Sequence, residues 1–332
     1  MFIAAIFYTS CGWEVEEVEL LLPEGFRATI FADRVGAARH IVATPSGDVY
    51  VALWDQTGGG ILALRDTDGD RRADLQERFA DIGGSGIALY GDYLYFATWT
   101  TVYRYRLEAG ELVPREEPQI FLDGLPRSGH AARSLTVDSE GFVYVNIAGP
   151  SNACQEVDAA LASPGKDPCP ELDQFGGIWK FDPRRIDQRQ ADGERIGRGL
   201  RHVVALATNP LDDRLYGVQH GRDHLIENWP DLYTERQAAE NAAEEFFHIE
   251  KDADYGWPYC YYSIEHQRKV LAPEYGGNGE AVGRCADNKD PLYAFPAHWA
   301  PNALLFYTGN QFPSHYKGGA FIAFHGSWFR TG

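Results

Sequence analysis

Among its five cysteines the 332-residue chain has no CxxC pair, which removes the usual spacing of a structural zinc site. No GxGxxG follows a strand-like run, so a bound nicotinamide cofactor is not expected. Basic residues are few: 30 Lys and Arg stand against 48 Asp and Glu. The resulting formal charge of −18 argues against a nucleic-acid or anionic-membrane partner, because phosphate would be repelled rather than paired. No apolar run is long enough to cross a bilayer. What is present is 44% hydrophobic residues, 13% aromatics and 35 glycines, a globular composition leaning toward β structure with many turns. The length permits one large domain or two ordinary ones.

The cysteines are Cys11, Cys154, Cys169, Cys260 and Cys285. Cys154 with Cys169, and Cys260 with Cys285, can each close a short loop as a disulfide, which would place the protein in an oxidising compartment, periplasmic or extracellular. Cys11 is the odd one. It follows MFIAAIFYTS, an apolar stretch ending in small residues, as at the lipidation site of a bacterial lipoprotein signal. No basic residue precedes that stretch, and Tyr8 stands where an aliphatic residue is usual. Residues 1–21 therefore read either as a clipped export signal with a lipid anchor at Cys11 or as an ordinary N-terminal tail, and 22–332 as the folded domain.

Five segments repeat a strand, a Gly or Asp turn and a second strand: HIVATPSGDVYVAL (40–53), GIALYGDYLYFAT (86–98), SLTVDSEGFVYVNI (134–147), ALATNPLDDRLYGV (205–218) and LLFYTGNQFPSHYKGGAFIAF (304–324). Further short strands are expected at 59–66, 100–107, 176–183 and 244–250. Tyr50, Tyr95 and Tyr144 lie 45 and 49 residues apart, the length of a propeller blade. Later spacings stretch, beginning with Tyr216 at 72 residues after Tyr144, because insertions rich in Pro, Gly, Asn and Tyr fill 150–175 and then 223–300. These are expected as long ordered loops on one face. The fold class is thus all-β, a β-propeller, with a β-sandwich or two β domains as rivals. The last repeat ends at SWFRTG without outer strands, which leads us to expect a propeller incomplete at its C-terminus and at least one further blade in a complete relative.

Polar residues collect after second strands and between blades: His130 and Arg133 in GHAARSL, Arg201 and His202 in GLRHVVAL, Gln219 to Asp223 in QHGRD, Glu244 and Glu245, His298 and Trp299 in HWAPN, and His325 to Arg330 in HGSWFR. In a propeller such positions converge on the mouth of the central channel, and the mixture suits an anionic cofactor with a polyhydroxylated substrate.

These motifs, together with DYGWPYCY and FPAHWAPNALLFYTGNQFPSHYKGGAFIAF, run in order from LPEGF (22–26) to HGSWFR (325–330). In them the chain resembles the pyrroloquinoline quinone (PQQ) dependent soluble glucose and sorbosone dehydrogenases, six-bladed propellers. The resemblance implies that a bound quinone accepts a hydride from the carbinol carbon of a sugar, sugar aldehyde or alcohol while a base removes the hydroxyl proton, and that the electrons pass to an acceptor other than NAD or oxygen. His130 corresponds to that base, and a histidine near its ordinary pKa suits the task. Arg201 corresponds to a cofactor-binding arginine, and His202 stands where asparagine is expected. Gly221 and Arg222 correspond to the pair whose backbone carbonyls hold calcium, with Gln219 and Glu244 as neighbours of the ion. Arg133, Trp299, His325 and Arg330 complete the expected cofactor surroundings. Without the resemblance, His130 and QHGRD would read as hydrogen-bonded turns and Trp299 as a buried indole.

A second calcium candidate is DTDGDRRADLQE (66–77), with Asp66, Asp68, Asp70, Asp74 and Glu77 at positions 1, 3, 5, 9 and 12 of an EF-hand-like loop. Arg71 holds the position that normally needs glycine, and the alternative is a solvated Asp-Gly turn. Two other functions stay open: a calcium-dependent propeller hydrolase of lactonase type, which would need more carboxylates and asparagines around the axis, and a non-catalytic propeller binding carbohydrate or protein.

Overall fold

The computed structural model describes residues 20–54, 58–127 and 129–327. The expectations for Cys11 and Arg330 fall outside them. The chain forms two compact units: the residues up to Gly83 with Ala109–Val113, and Gly84–Glu108 with everything from Pro114 onward.

In the first unit, strands β1 (Ala38–Ala43), β2 (Val49–Leu53), β3 (Gly60–Arg65) and β4 (Leu75–Phe79) form an antiparallel meander in chain order. The inner strands VYVAL and GILALR are continuous apolar runs and are buried on both faces, as such runs require, while β1 and β4 are largely exposed. Asp48 at the β1–β2 turn pairs with Arg65 on β3, Nε to Oδ1 at 2.6 Å. The Tyr50 hydroxyl donates to the Leu112 carbonyl at 2.9 Å and so ties the 109–113 segment to this sheet.

The second unit repeats the pattern. Strands β5 (Gly86–Tyr90), β6 (Tyr93–Ala97), β7 (Val102–Arg106) and β8 (Gln119–Leu122) make one meander, and β9 (Leu135–Val137), β10 (Val143–Ile147), β11 (Gly177–Phe181) and β12 (Glu194–Arg198) make the next. Then come β13 (Val203–Thr208), β14 (Leu215–Gln219) and β15 (Glu244–His248). The short β16 (Ala253–Asp254) adds in parallel to β12, and β17 (Cys260–Ser263) pairs with β18 (Arg268–Leu271). β19 (Tyr293–Phe295) joins β15 as a fourth strand, and β20 (Pro301–Phe306) pairs with β21 (Ala320–Phe324). The five expected hairpins are all found, as β1–β2, β5–β6, β9–β10, β13–β14 and β20–β21, and the four further strands are β3, β7, β11 and β15. Segment 223–300 is more regular than a loop: it contributes β15 to β19, because runs such as EEFFH and CYYS are β-prone and find partners.

Within this unit β5 lies against β9, β9 against β13 and β13 against β20. The first strand of each sheet therefore meets the first strand of the next, the propeller arrangement of blades. Tyr95, Phe121, Trp179 and Phe181 fill the space between the second and third sheets, and Tyr144, Val203, Phe247 and Tyr255 that between the third and fourth. A phenylalanine as fully buried as Phe121 contributes about 1.5–3 kcal/mol. Truncating one to alanine costs about 3–5 kcal/mol.

Both expected disulfides are formed, Cys154 to Cys169 and Cys260 to Cys285, with Cα separations of 6.1 and 5.8 Å. No helix among the described residues is long and apolar enough to cross a membrane.

Candidate functional site

The loops after and between strands bring residues from six stretches of chain together at one end of the second unit's sheets. His130 precedes β9, Gly149 follows β10, Arg201 and His202 connect β12 to β13, His220 to Asp223 follow β14, Glu244 opens β15, and His298 to Ala300 link β19 to β20. The His130 and His202 rings lie 4.8 Å apart, centroid to centroid, and the His202 and His220 rings 5.1 Å.

His130 Nδ1 donates to the Gly149 carbonyl at 2.6 Å. A carbonyl only accepts, so in the neutral imidazole Nε2 is the basic nitrogen. Burial, reinforced by the Arg201 charge, pushes the His130 pKa down to about 4, which corrects the expectation of a near-ordinary value. Burial and Arg201 likewise push His220 down to about 4, and burial together with the two flanking imidazoles holds His202 well below the usual range. His220 Nε2 donates to the Pro301 carbonyl at 3.1 Å. The buried Nδ1 of His202 meets no hydrogen-bond partner among the described residues.

The Arg201 guanidinium is bound four ways: Nε to the Asn152 carbonyl at 3.2 Å, Nη2 to Asn152 Oδ1 at 3.1 Å and to Asp223 Oδ2 at 2.9 Å, and Nη1 to the Gly221 carbonyl at 2.8 Å. Of its five N–H groups, one on Nη1 meets no partner among the described residues. Asp223 also meets His298 Nδ1 at 3.3 Å, while His298 Nε2 donates to the Ala238 carbonyl at 3.1 Å. A histidine bonding a carbonyl through one nitrogen and a carboxylate through the other carries both protons. Burial works against that charge, but the Asp223 contact outweighs it and the His298 pKa is raised. Asp223 is itself held below the usual carboxylate range, as Arg201 and His298 overcome its burial.

Glu244 accepts from Gly221 N at 2.9 Å and from Ala300 N at 3.2 Å, and burial pushes its pKa up to about 7. A Cβ on Gly221 would run into the carbonyl oxygens of Ala242 and Ala243, so only glycine allows this turn its close approach.

The other expected residues sit further back. Gln219 accepts from Arg201 N at 3.0 Å and donates to Glu245 at 2.8 Å. Arg133 is fully buried, and among the described residues its guanidinium bonds to the carbonyls of Trp99, Asn146 and Pro126. It braces the loop that carries His130. The Arg222 side chain turns away into a buried ion pair with Glu274. Trp299 packs on Phe295 and Phe324, ring centroids 6.4 and 5.4 Å away, and exposed His325 is tied through its N–H to the Ala300 carbonyl at 2.9 Å. Asn152, Asp223 and Gly149 carry more of the geometry than the sequence suggested. The signal for Asn152 was slight: a small polar stretch, GPSN, just before a disulfide cysteine.

In the 66–77 loop, carboxylates of Asp66, Asp68 and Asp74 come within 4.8 Å of one another. Asp70 caps Arg72 N at 2.7 Å, and Glu77 is already in β4 opposite Ala63.

The site fits an acceptor-rich planar group. Among the described residues one Arg201 N–H and the buried His202 Nδ1, donor or acceptor by tautomer, meet no partner, and the carboxylates Asp223 and Glu244 already accept from protein N–H groups.

The family model described as TrAA12-like matches residues 20–332, and the chain belongs to that family. A PQQ-dependent sugar dehydrogenase of Hypocrea jecorina is 26% identical over 310 residues, covering 83% of this chain and 68% of that one. An uncharacterized protein of Borreliella burgdorferi is 29% identical over 154 residues, covering 44% of this chain; the match spans 34% of that protein's length. A structure of the family AA12 carbohydrate-active enzyme of Trichoderma reesei superposes with a TM-score of 0.72 at 20% identity, covering 94% of this chain and 79% of that one. The resemblance found in the motifs, the all-β propeller class and the class of enzyme agree with these relatives.

Proposed function

We propose that the protein is a PQQ-dependent dehydrogenase of sugars, sugar aldehydes or related alcohols, with His130 as general base. The observation that carries this is the His130–Gly149 hydrogen bond, which fixes the tautomer with Nε2 basic and sets it beside the Arg201 guanidinium. PQQ, when bound, supplies the two-electron acceptor for the hydride of the carbinol carbon. His130 takes the hydroxyl proton on Nε2 as that hydride leaves. The open Arg201 N–H and His202 Nδ1 offer polar contacts to the quinone and its carboxylates, and Trp299 and His325 border them through the Ala300 loop. The carbonyls of Gly221 and Arg222, with Glu244, would hold Ca2+, a hard cation suited to an all-oxygen set. Gly221 O gives one lone pair to Arg201 and keeps the other. Two disulfides support an exported protein, periplasmic or extracellular, that hands its electrons to an external acceptor.

The test is to add PQQ and Ca2+ to purified apoprotein and follow bleaching of a dye acceptor with a panel of aldoses. PQQ-dependent bleaching is expected. Lactone hydrolysis without quinone would replace the proposal with the hydrolase alternative, and no quinone binding at all would replace it with the binding propeller.

A further inference from the structure

Asn152 follows β10, two residues before Cys154, and is 5% exposed. Its Oδ1 accepts from Arg201 Nη2 at 3.1 Å and from Asp223 N at 2.9 Å, while its Nδ2 donates to the Asp223 carbonyl at 2.9 Å. Guanidinium and backbone N–H groups only donate and a carbonyl only accepts, so an uncharged amide matches both sides where a carboxylate would not. The main-chain carbonyl of Asn152 takes two more bonds, from Arg201 Nε at 3.2 Å and from Trp257 Nε1 at 2.9 Å. The residue is held from behind. Its N–H donates to Asp158 Oδ1 at 3.0 Å, Ser151 Oγ accepts from Cys154 N at 2.9 Å, and the Cys154–Cys169 disulfide closes the segment.

We infer that Asn152 is a positioning residue: it fixes the Arg201 guanidinium and the 221–223 turn in one geometry, and the disulfide-closed segment holds Asn152 itself. Three of the four Arg201 guanidinium contacts run to Asn152 or to the Asp223 that Asn152 grips, so the open Nη1 N–H is aimed from this one side chain and its backbone. The consequence for cofactor binding rests on the proposed role of Arg201, whereas the placement of Arg201 does not.

The test uses Asn152→Ala and Asn152→Asp in the full chain. Each is read by a crystal structure of the apoprotein, by PQQ affinity from absorbance titration, and by thermal unfolding. In Asn152→Ala, Arg201 should leave the Gly221 carbonyl and PQQ should bind about tenfold or more weakly, with the chain still folded. In Asn152→Asp both acceptors survive, so Arg201 should stay in place, yet the added negative charge should still weaken binding of an anionic quinone. Arg201 unmoved in Asn152→Ala, with PQQ affinity within about twofold of wild type, would overturn the inference. Should Asn152→Ala not fold, Asn152→Asp decides it, because its carboxylate cannot donate to the Asp223 carbonyl: a displaced 221–223 turn in its crystal structure supports the role, and a turn that stays as in wild type overturns it. A wild-type protein that binds no PQQ would sink the functional proposal alone, because displacement of Arg201 in Asn152→Ala would still settle the positioning role.

Discussion

His130 and Arg201 are held to one another through a single residue. The Gly149 carbonyl accepts His130 Nδ1 at 2.6 Å, and the Gly149 N–H donates to the Arg201 carbonyl at 2.8 Å. The proposed base and the arginine proposed to bind the cofactor are therefore tied to each other through one peptide. A Cβ on Gly149 would meet two ring carbons of Trp257 at 2.5 and 2.6 Å. Trp257 is buried and tethered to Asn152, so it has little room to yield. Gly149→Ala should cost about 1–3 kcal/mol of stability, read by urea unfolding, and lower turnover more than the stability loss explains. Unchanged turnover would mean that the shared peptide does not govern the base.

Removing the imidazole alone should separate binding from chemistry. In His130→Ala, PQQ affinity should stay within a few-fold of wild type while kcat falls by about a hundredfold or more. The pH profile carries the sign. The buried imidazole is neutral down to pH about 4 in the protein without cofactor, depressed first by burial and second by the Arg201 charge, and an anionic quinone bound at Arg201 would offset the second of these. The acid limb of kcat/KM should thus lie above 4, toward the ordinary histidine value, and should disappear in His130→Ala. Loss of PQQ binding with the imidazole would instead make His130 a cofactor ligand.

The blade repeat was legible because its signal is local. Inner strands such as VYVAL and VYVNI are apolar runs bounded by Gly or Asp turns, and the tyrosines recur at blade spacing. The outer strands were not seen: LQERF in β4 is polar and exposed at a sheet edge, where burial imposes no pattern, and ERIGR in β12 is short and mostly polar. His130, Arg201 and the 221–222 turn were legible as motif residues. Asn152 was not, because its importance comes from facing Arg201 across 49 positions of chain, and no periodicity encodes such a pairing. Arg133 was read as a site residue from its place in the His130 loop and Arg222 for its backbone carbonyl, and neither reading foresaw that each guanidinium is turned into the interior, one onto carbonyls and one onto Glu274.

His202 gives a prediction about acid stability. It is buried with an unpartnered Nδ1 and a pKa well below that of the unfolded chain, so between that value and pH 6.5 the unfolded state binds a proton that the folded state does not. Stability contributed at this position is therefore present at neutral pH and lost as pH falls. His202→Asn removes the linkage. Its stability relative to wild type should rise on acidification by about 1.4 kcal/mol per pH unit below pH 6.5. Paired denaturant unfolding curves at pH 7 and pH 5 measure this, and a pH-independent difference would mean that His202 charges freely in the folded state.

A buried ion pair stands behind the same arginine. Lys269 bonds the Glu245 carboxylate and the Tyr255 carbonyl, Glu245 accepts from Gln219 at 2.8 Å, and Gln219 accepts from Arg201 N at 3.0 Å. Lys269→Met strands a carboxylate whose pKa burial already raises, at a cost of about 3–5 kcal/mol. A raised folded pKa means that stability is lost as pH rises, so the deficit should be larger at pH 8 than at pH 5, where Glu245 can hold a proton. Adding Glu245→Leu should recover most of the loss, because two apolar side chains replace a desolvated pair, but it also leaves Gln219 Nε2 without its acceptor. The double variant should therefore regain stability without regaining PQQ affinity. If both return together, the chain from Lys269 to Arg201 serves the fold alone.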